Sequence, residues 1–209
     1  MSLRDVCPRH QLEPDPVVVA PALLGGVVSH GEVSIRITEV EAYRGNDDPG
    51  SHAFRGPTPR SQIMFGEAGR AYVYFSYGMH HCLNVVCGRC GTAGAVLLRA
   101  GEVVDGEMSA RRRRDRGRNT PHPHRDLARG PARMTSALGV DLEQNGIDLC
   151  DPESALRLEV GLVMDRVAVS AGPRVGVSGP GGDGSAYPWR FWITGDPTVS
   201  AYRPATPRR

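Results

Sequence analysis

Alternating apolar and polar positions predict a β-strand between residues 33 and 43. Every second position from Val33 to Ile37 is apolar, and a regular strand continues that face through Glu39 and Glu41. The pattern therefore predicts two carboxylates on a strand face that begins aliphatic.

The remaining elements follow from hydrophobic spacing together with proline and glycine positions. Helices are predicted over 15–24, 108–116 and 130–139; strands over 70–77, 82–87 and 95–100, with more inside 156–170 and 189–202. The strands on either side of Gly78 form a hairpin. Three glycine-, proline- or arginine-rich segments predict loops: a long irregular one over 44–69, a mobile basic one over 117–129, and one over 176–184.

Length and composition favour one folded domain. The chain has 209 residues, of which 40% are hydrophobic and 23% charged. We expect a single domain over 1–209 with flexible tails at 1–14 and 203–209. No apolar run predicts a signal peptide or a membrane span, and the odd number of cysteines favours reduced thiols. The expected location is the cytoplasm, without a membrane partner.

Charge is distributed unevenly. Residues 111–133 contain nine arginines and two aspartates, whereas the whole chain has a formal net charge of +2. Such a cluster suits a polyanion such as nucleic acid, but it also suits a solvated helix face, and both interpretations stay open. All 25 basic residues are arginine, so a lysine Schiff base and a lysine-containing phosphate loop are excluded.

Acidic and aromatic residues suggest chemistry near the first strand. A carboxylate such as Glu41, on a half-apolar face, suits a general base, although an edge strand facing water explains it equally. Four tyrosines and three histidines crowd into residues 43–84, together with Asn84. Aromatic rings stack on exposed bases, but strand tyrosines also serve as ordinary core residues.

Three cysteines raise a different possibility. Cys82, Cys87 and Cys90 have the C-x4-C-x2-C spacing of one class of iron–sulfur protein. Because Cys82 and Cys87 fall on opposite faces of a regular strand, we do not expect a cluster or a zinc site there.

Several motifs in sequence order resemble one protein family. They are TEVEAYRGNDDPGSHAFRGPTPRSQIMFGEAGRAYVYFSYGMHHCLNV, AVLLRA, GPARMTSALGV and PRVGVSG, and they resemble the alkyladenine (3-methyladenine) DNA glycosylase family over roughly residues 15–202. The resemblance implies an α+β fold: a single compact domain with a curved antiparallel β-sheet, surrounding helices and a protruding β-hairpin. It implies a monomeric, monofunctional enzyme that uses no metal and no cofactor and acts on double-stranded DNA containing damaged purines.

The resemblance also implies roles for individual residues. Glu41 matches the general base, and Arg99 and the carbonyl of Val175 match the groups that position the attacking water. Glu39 does not match the base.

Further matches concern the base and the duplex. The residues implied to line the base pocket are Tyr43, His52, Tyr74, Asn84 and Met64. Among them, Asn84 matches the family's residue that screens the purine 2-position. Tyr77 matches the wedge that fills the vacated stack, and Arg60 and Arg133 match contacts to the DNA backbone. His80 and His81 depart from the aromatic pair expected after the wedge.

These residues together predict hydrolysis of the N-glycosidic bond of a flipped purine, with 3-methyladenine, 7-methylguanine, hypoxanthine or ethenoadenine as the substrate class. Two alternatives stay open. A non-catalytic lesion-binding protein would need the tyrosines and arginines but not Glu41. A nucleoside hydrolase acting on small molecules would have no use for Tyr77 or for the basic segment.

Overall fold

Nine strands and three α-helices make up the regular structure in a computed structural model that describes residues 5–76, 78–159 and 168–205. The strands are β1 (Val27–His30), β2 (Val33–Tyr43), β3 (Ala71–Ser76), β4 (His80–Val86), β5 (Ala95–Asp105), β6 (Ala128–Arg129), β7 (Leu156–Glu159), β8 (Val169–Gly172) and β9 (Arg190–Ile193). The helices are α1 (Pro16–Ala22), α2 (Glu107–Arg114) and α3 (Pro131–Leu138).

All strand pairs are antiparallel and belong to one sheet. Its main order is β3-β4-β5-β2-β1-β7, with β6 paired to β5, β9 to β2, and β8 to β9. The predicted hairpin is β3–β4, which turns at Gly78 (φ 66°) at one edge of the sheet. The predicted α+β class, the single domain and the antiparallel sheet are confirmed.

The central strand β2 departs from regular alternation. Its pairing register with β5 shifts on both sides of Glu39. Ile35 and Ile37 before the shift, and Val40 and Ala42 after it, pack in the same apolar core. Because an inserted residue changes which side chains face the core, the prediction that the two carboxylates continue the aliphatic face is wrong. The bulge turns them toward the other side.

The N-terminal segment also differs from expectation. Residues 5–14 were expected to form part of a flexible tail, yet Cys7 and Leu12 are buried in the main core. Arg9 donates to the Ala68 carbonyl at 2.6 Å and pairs with Asp148 at 2.6 Å. The apolar side chains and this ion pair hold the segment on the domain, so that part of the prediction is wrong. Of the expected C-terminal tail, 203–205 are described and carry no helix or strand.

The segment between α2 and α3 is more ordered than a plain loop. It contains a 3₁₀ turn at His124–Asp126 and the short strand β6, where the sequence predicted neither. Helix α3 starts with Pro131 and ends before Gly139 (φ 71°), as predicted from those two residues. None of the helices in the described ranges has the length and apolar composition needed to cross a bilayer.

Candidate active site

A cavity of about 530 Å³ lies where β2, β3, β4 and β5 meet the loops around residues 49–64 and 175–178. It brings together nine residues that the sequence singled out: Glu41, Tyr43, His52, Arg60, Met64, Tyr74, Asn84, Arg99 and Val175. A second cavity, of about 630 Å³, is lined by residues from 10–16, 44–47 and 87–93 and contains none of them. The first cavity is therefore the candidate site.

Glu41 is fully buried, and three donors contact its carboxylate. The Val175 amide donates to Oε1 at 2.7 Å, the Tyr43 hydroxyl donates to Oε2 at 2.8 Å, and Arg99 Nη1 lies 3.3 Å from Oε1. Burial and the Glu41 charge raise the pKa of Tyr43 well above its usual value, so its hydroxyl stays a donor. These contacts fix the orientation of the carboxylate at the cavity.

Glu39 lies next to this site but has a different environment. Its Oε1 accepts from Arg99 Nε at 2.9 Å and from Arg190 Nε at 2.7 Å, and its Oε2 accepts from the Ser200 amide at 2.7 Å. Burial acts to raise the pKa of Glu39, but Arg99 and Arg190 outweigh it and hold that pKa below its ordinary value. Glu39 does not line the cavity, so of the two acids only Glu41 faces it. The sequence analysis missed Arg190 and Ser200.

Arg99 links the two carboxylates. Its side chain is 8% exposed, and it contacts Glu39 through Nε and Glu41 through Nη1. Burial alone would lower the pKa of Arg99, but the two glutamates raise it, so the guanidinium stays charged. The Arg99 guanidinium therefore positions both carboxylates, and its own orientation is fixed by Glu39, which does not line the cavity.

Aromatic rings form a wall of the cavity. The rings of His52 and Tyr74 meet edge to face with centroids 4.7 Å apart, and His52 Nδ1 lies 3.0 Å from the Tyr72 hydroxyl. Desolvation by the surrounding side chains, with the nearby charge of Arg60, lowers the pKa of His52 to about 4 although part of the residue is exposed, so its imidazole is neutral at pH 7. Arg60, implied to contact the DNA backbone, has its guanidinium 4.6 Å from the Tyr74 ring centroid. It therefore stands at the cavity as well.

Tyr43 has a buried arginine against its ring. Arg174 Cζ lies 4.6 Å from the ring centroid, and Arg174 is 1% exposed. Its guanidinium pairs with the buried Asp48 at 2.6 and 2.7 Å. The sequence analysis did not single out either residue, because only the folded chain brings positions 48 and 174 together.

Asn84 and Met64 are both buried within the cavity lining. The Asn84 side-chain amide donates to the Tyr72 carbonyl at 2.9 Å, which fixes its orientation. Met64 packs in a small apolar cluster with Ala53 and Tyr72 beneath the aromatic wall. Both side chains can therefore contact a molecule in the cavity.

The last two implied DNA contacts are Tyr77 and Arg133. Tyr77, the implied wedge, lies outside the described residues. Its described neighbours Phe75 and Met79 are 46% and 68% exposed at the end of the hairpin, and the sequence analysis had not singled them out. Arg133 does not line the cavity, but it is exposed in α3, whose first residue Pro131 does.

The three cysteines of the iron–sulfur spacing have separate environments. Cys82 lines the cavity, Cys87 is buried with its thiol against the Val85 carbonyl, and Cys90 is exposed. Within the described ranges, no three His, Cys, Asp or Glu side chains come together as metal ligands. The spacing therefore does not produce a ligand set there.

Comparison with known proteins identifies the family. A model of the methylpurine-DNA glycosylase family matches residues 10–197. A Streptomyces avermitilis protein is 54% identical over 196 residues, covering 91% of this chain and 89% of the relative. A Leifsonia xyli protein is 53% identical over 192 residues, with 88% and 87% covered. A Mycobacterium bovis protein is 44% identical over 199 residues, with 92% of each chain covered.

All three relatives carry the provisional name 3-methyladenine DNA glycosylase. The family match includes every residue described above as lining the candidate cavity. The family match spans most of the sequence, and the sequence identity to these relatives agrees with the motifs described above. The chain therefore belongs to the methylpurine-DNA glycosylase family.

Proposed function

We propose that this DNA glycosylase hydrolyses the N-glycosidic bond of an alkylated or deaminated purine that has rotated out of the duplex, with Glu41 activating the water. The observation that carries the proposal is the buried Glu41 carboxylate, oriented toward an aromatic cavity by Tyr43, Arg99 and Val175. The substrate class is 3-methyladenine, 7-methylguanine, hypoxanthine and ethenoadenine.

The cavity suits an extruded base. Unstacking a nucleotide costs a few kcal/mol, and stacking on an aromatic ring contributes about 1–3 kcal/mol per base, so Tyr43 and Tyr74 can offset much of the cost. His52 is uncharged at pH 7 because its pKa is near 4, and a neutral imidazole does not repel a positively charged alkylated purine. Weakly paired and damaged bases enter this cavity at the lowest free-energy cost, because they lose the least pairing and stacking.

The reaction requires a water molecule, a general base that activates it, and the purine as leaving group. As the bond from C1′ to the purine nitrogen breaks, its electron pair leaves with the purine and positive charge grows on the sugar. Glu41 stabilises that charge and takes a proton from the water whose oxygen bonds to C1′, an acid–base contribution typically of about 10²–10⁴-fold. An N3- or N7-alkylated purine departs as a neutral base, whereas hypoxanthine and ethenoadenine also need protonation.

Arg99 and Val175 hold Glu41, the proposed general base, in position for this step. Arg99 fixes one side of Glu41, and the Val175 amide donates to the same oxygen. The resemblance assigns water binding to the Val175 carbonyl, and that role remains part of the proposal. The proposed steps use no metal or cofactor, and a chain without lysine has no side-chain amine for an imine with the abasic sugar.

Duplex binding completes the proposal. Tyr77 is proposed as the wedge that replaces lost stacking, Arg60 and Arg133 as backbone contacts, and Asn84 as the screen for the purine 2-position. Phe75 and Met79, two positions before and after Tyr77 in the sequence, are exposed and support a contact surface at the hairpin. We propose that the protein acts as a monomer, in the cytoplasm and on nucleoid DNA.

Release of free base tests the proposal. Incubation with duplexes that contain 7-methylguanine or hypoxanthine should release the base, whereas the free nucleosides should not react. Glu41→Gln should reduce release by about 10²–10⁴-fold while lesion binding persists, because the amide keeps the shape but cannot accept the proton of water. Lesion binding without release by the unaltered protein would favour the non-catalytic alternative, and release from nucleosides would favour the small-molecule hydrolase.

A further inference from the structure

A buried ion pair behind Tyr43 has no part in the steps proposed above. Arg174 Nη1 and Nη2 donate to the two carboxylate oxygens of Asp48 at 2.6 and 2.7 Å, and both side chains are 0% exposed. Arg174 also donates to the carbonyls of Ala42 and Gly181, at 3.0 and 2.7 Å. Asp48 accepts from the amides of Arg44 and Gly50. The pair is therefore held rigidly in place.

Tyr43 stands between this pair and the cavity. Tyr43 lines the cavity and Arg174 does not, while Arg174 Cζ is 4.6 Å from the centroid of the Tyr43 ring. That ring face is occupied, so a base can stack only on the opposite face. A stacked base at a contact distance of about 3.5 Å would lie roughly 8 Å from the guanidinium, with the Tyr43 ring between them.

At that distance the charge behind the ring matters. Two unit charges about 8 Å apart at an effective dielectric constant of about 20 change a binding equilibrium roughly thirtyfold. Asp48 is the carboxylate that cancels the Arg174 charge, through two parallel hydrogen bonds. Without it, the back of the stacking ring would present a cation to the base.

We propose that the Asp48–Arg174 pair determines how well the site accepts a positively charged base relative to a neutral one, with Asp48 as a specificity-determining residue that acts through Tyr43. The inference rests on the proposed function, since it requires a base stacked on Tyr43. The paired charges leave the back of the ring neutral, so the pocket can admit both alkylated cations and neutral deaminated purines.

Opposite substitutions should have opposite effects. Asp48→Asn leaves an unbalanced cation and should weaken binding of the cationic 7-methylguanine relative to neutral hypoxanthine by roughly ten- to thirtyfold. Arg174→Gln leaves an unbalanced carboxylate and should shift the ratio in the other direction. The double variant removes both charges and should return the ratio to the parent value, as should the charge-preserving Arg174→Lys.

The measurement is the dissociation constant of each variant for the two duplexes, in a Glu41→Gln background where the base stays attached. Thermal unfolding identifies the variants that fold, and Asp151→Asn, an exposed carboxylate outside the cavity lining, serves as the matched control. If the pair had a purely structural role, its substitution would weaken binding of both duplexes equally and leave the ratio of their dissociation constants unchanged. If Asp48→Asn does not fold, Arg174→Gln still tests the direction of the shift.

Two results would overturn the inference: a ratio within twofold of the parent in every folded variant, or shifts of the same sign for Asp48→Asn and Arg174→Gln. Failure of the proposed function is seen separately. If the protein with its native Glu41 releases neither base from duplex DNA, the glycosylase assignment of this cavity fails; if it releases both and the ratio does not move, only the charge-balance inference fails.

Discussion

Arginines serve different purposes in two regions of this protein. At the cavity and behind its lining, Arg99, Arg174 and Arg190 are buried and bound to carboxylates of Glu39, Glu41 or Asp48. Along α2 and the residues after it, the arginines have at least partial contact with water. A buried guanidinium needs a partner because desolvation is costly, whereas a surface guanidinium needs none. Amino-acid composition cannot distinguish these two uses.

The surface region is itself divided. Arg111 donates to the His122 carbonyl at 2.9 Å, Arg113 donates to the Ala137 carbonyl at 2.7 Å, and Arg114 donates to the Leu127 carbonyl at 2.9 Å. These three arginines tie α2 to α3 and to the segment between them. Arg112, Arg116 and Arg118 are exposed, as Arg113 is, but the bonds found for Arg112 and Arg118 are to residues nearby in sequence or to an exposed glutamate. Only part of the tract is therefore available to a polyanion.

The largest expected effect concerns the buried region. Glu39→Ala should lower the free energy of unfolding by about 3–5 kcal/mol, because Arg99 and Arg190 would lose the carboxylate they share. Urea denaturation measures the change. Glu67→Ala, which breaks exposed pairs with Arg9 and Arg70, is the matched control and should cost no more than about 1 kcal/mol. Equal losses would contradict the division between the two regions.

The sequence predicted the parts of the fold that depend on neighbouring residues. The strand over 33–43, the hairpin around Gly78 and the helix between Pro131 and Gly139 follow from local alternation and from turn and cap residues. The cavity lining followed from the family motifs, since several lie in one continuous segment.

Contacts between distant positions could not be predicted in this way. The bonds from Arg174 to Asp48, from Arg190 to Glu39 and from Ser200 to Glu39 join residues 126, 151 and 161 positions apart. The β2 bulge was also missed, because a single regular alternation was assumed along the whole strand. The apolar positions in fact change from Val33, Ile35 and Ile37 to Val40 and Ala42, which is the sequence signal of a shift at Glu39.

Substitutions should separate the surface arginines that bond to α3 and the segment before it from those available to DNA phosphates. Replacing Arg112, Arg116 and Arg118 together by glutamine should reduce affinity for lesion-free and lesion-bearing DNA by similar factors. The slope of log binding constant against log salt concentration is negative, and it should become less steep by up to about 2.7. The melting temperature should stay near that of the unaltered protein. The matched triple variant of Arg111, Arg113 and Arg114 should instead lower the melting temperature. An unchanged salt slope in the first variant would show that its arginines do not contact phosphate.

A smaller effect is expected inside the cavity. Asn84→Ser should increase release of normal guanine relative to hypoxanthine by roughly tenfold or more, because a site that excludes the 2-amino group by close contact loses that penalty when the side chain is shortened. Release of both bases from matched duplexes gives the ratio. The Met64→Leu variant, which alters an apolar cavity residue of similar volume, is the control and should leave the ratio near its original value. A ratio that does not change in Asn84→Ser would exclude this residue as the screen.

The smallest expected effect is on pH dependence. Desolvation by neighbouring side chains and the charge of Arg60 place the pKa of His52 at about 4 in the folded protein, below the value of about 6.5 for an unperturbed histidine. The folded state therefore binds fewer protons at this residue than the unfolded state, and its contribution to stability is complete above about pH 6.5 and is lost as the pH falls toward 4. Between pH 5 and 8 the ring stays neutral in the folded enzyme, so it should not shape the pH profile of excision there. His52→Gln should change the rate through lost contact with the base while leaving the acidic limb of the profile at the same pH. A limb that moves with this substitution would mean that the imidazole carries a proton during catalysis, and that the neutral aromatic wall proposed for the cavity is wrong.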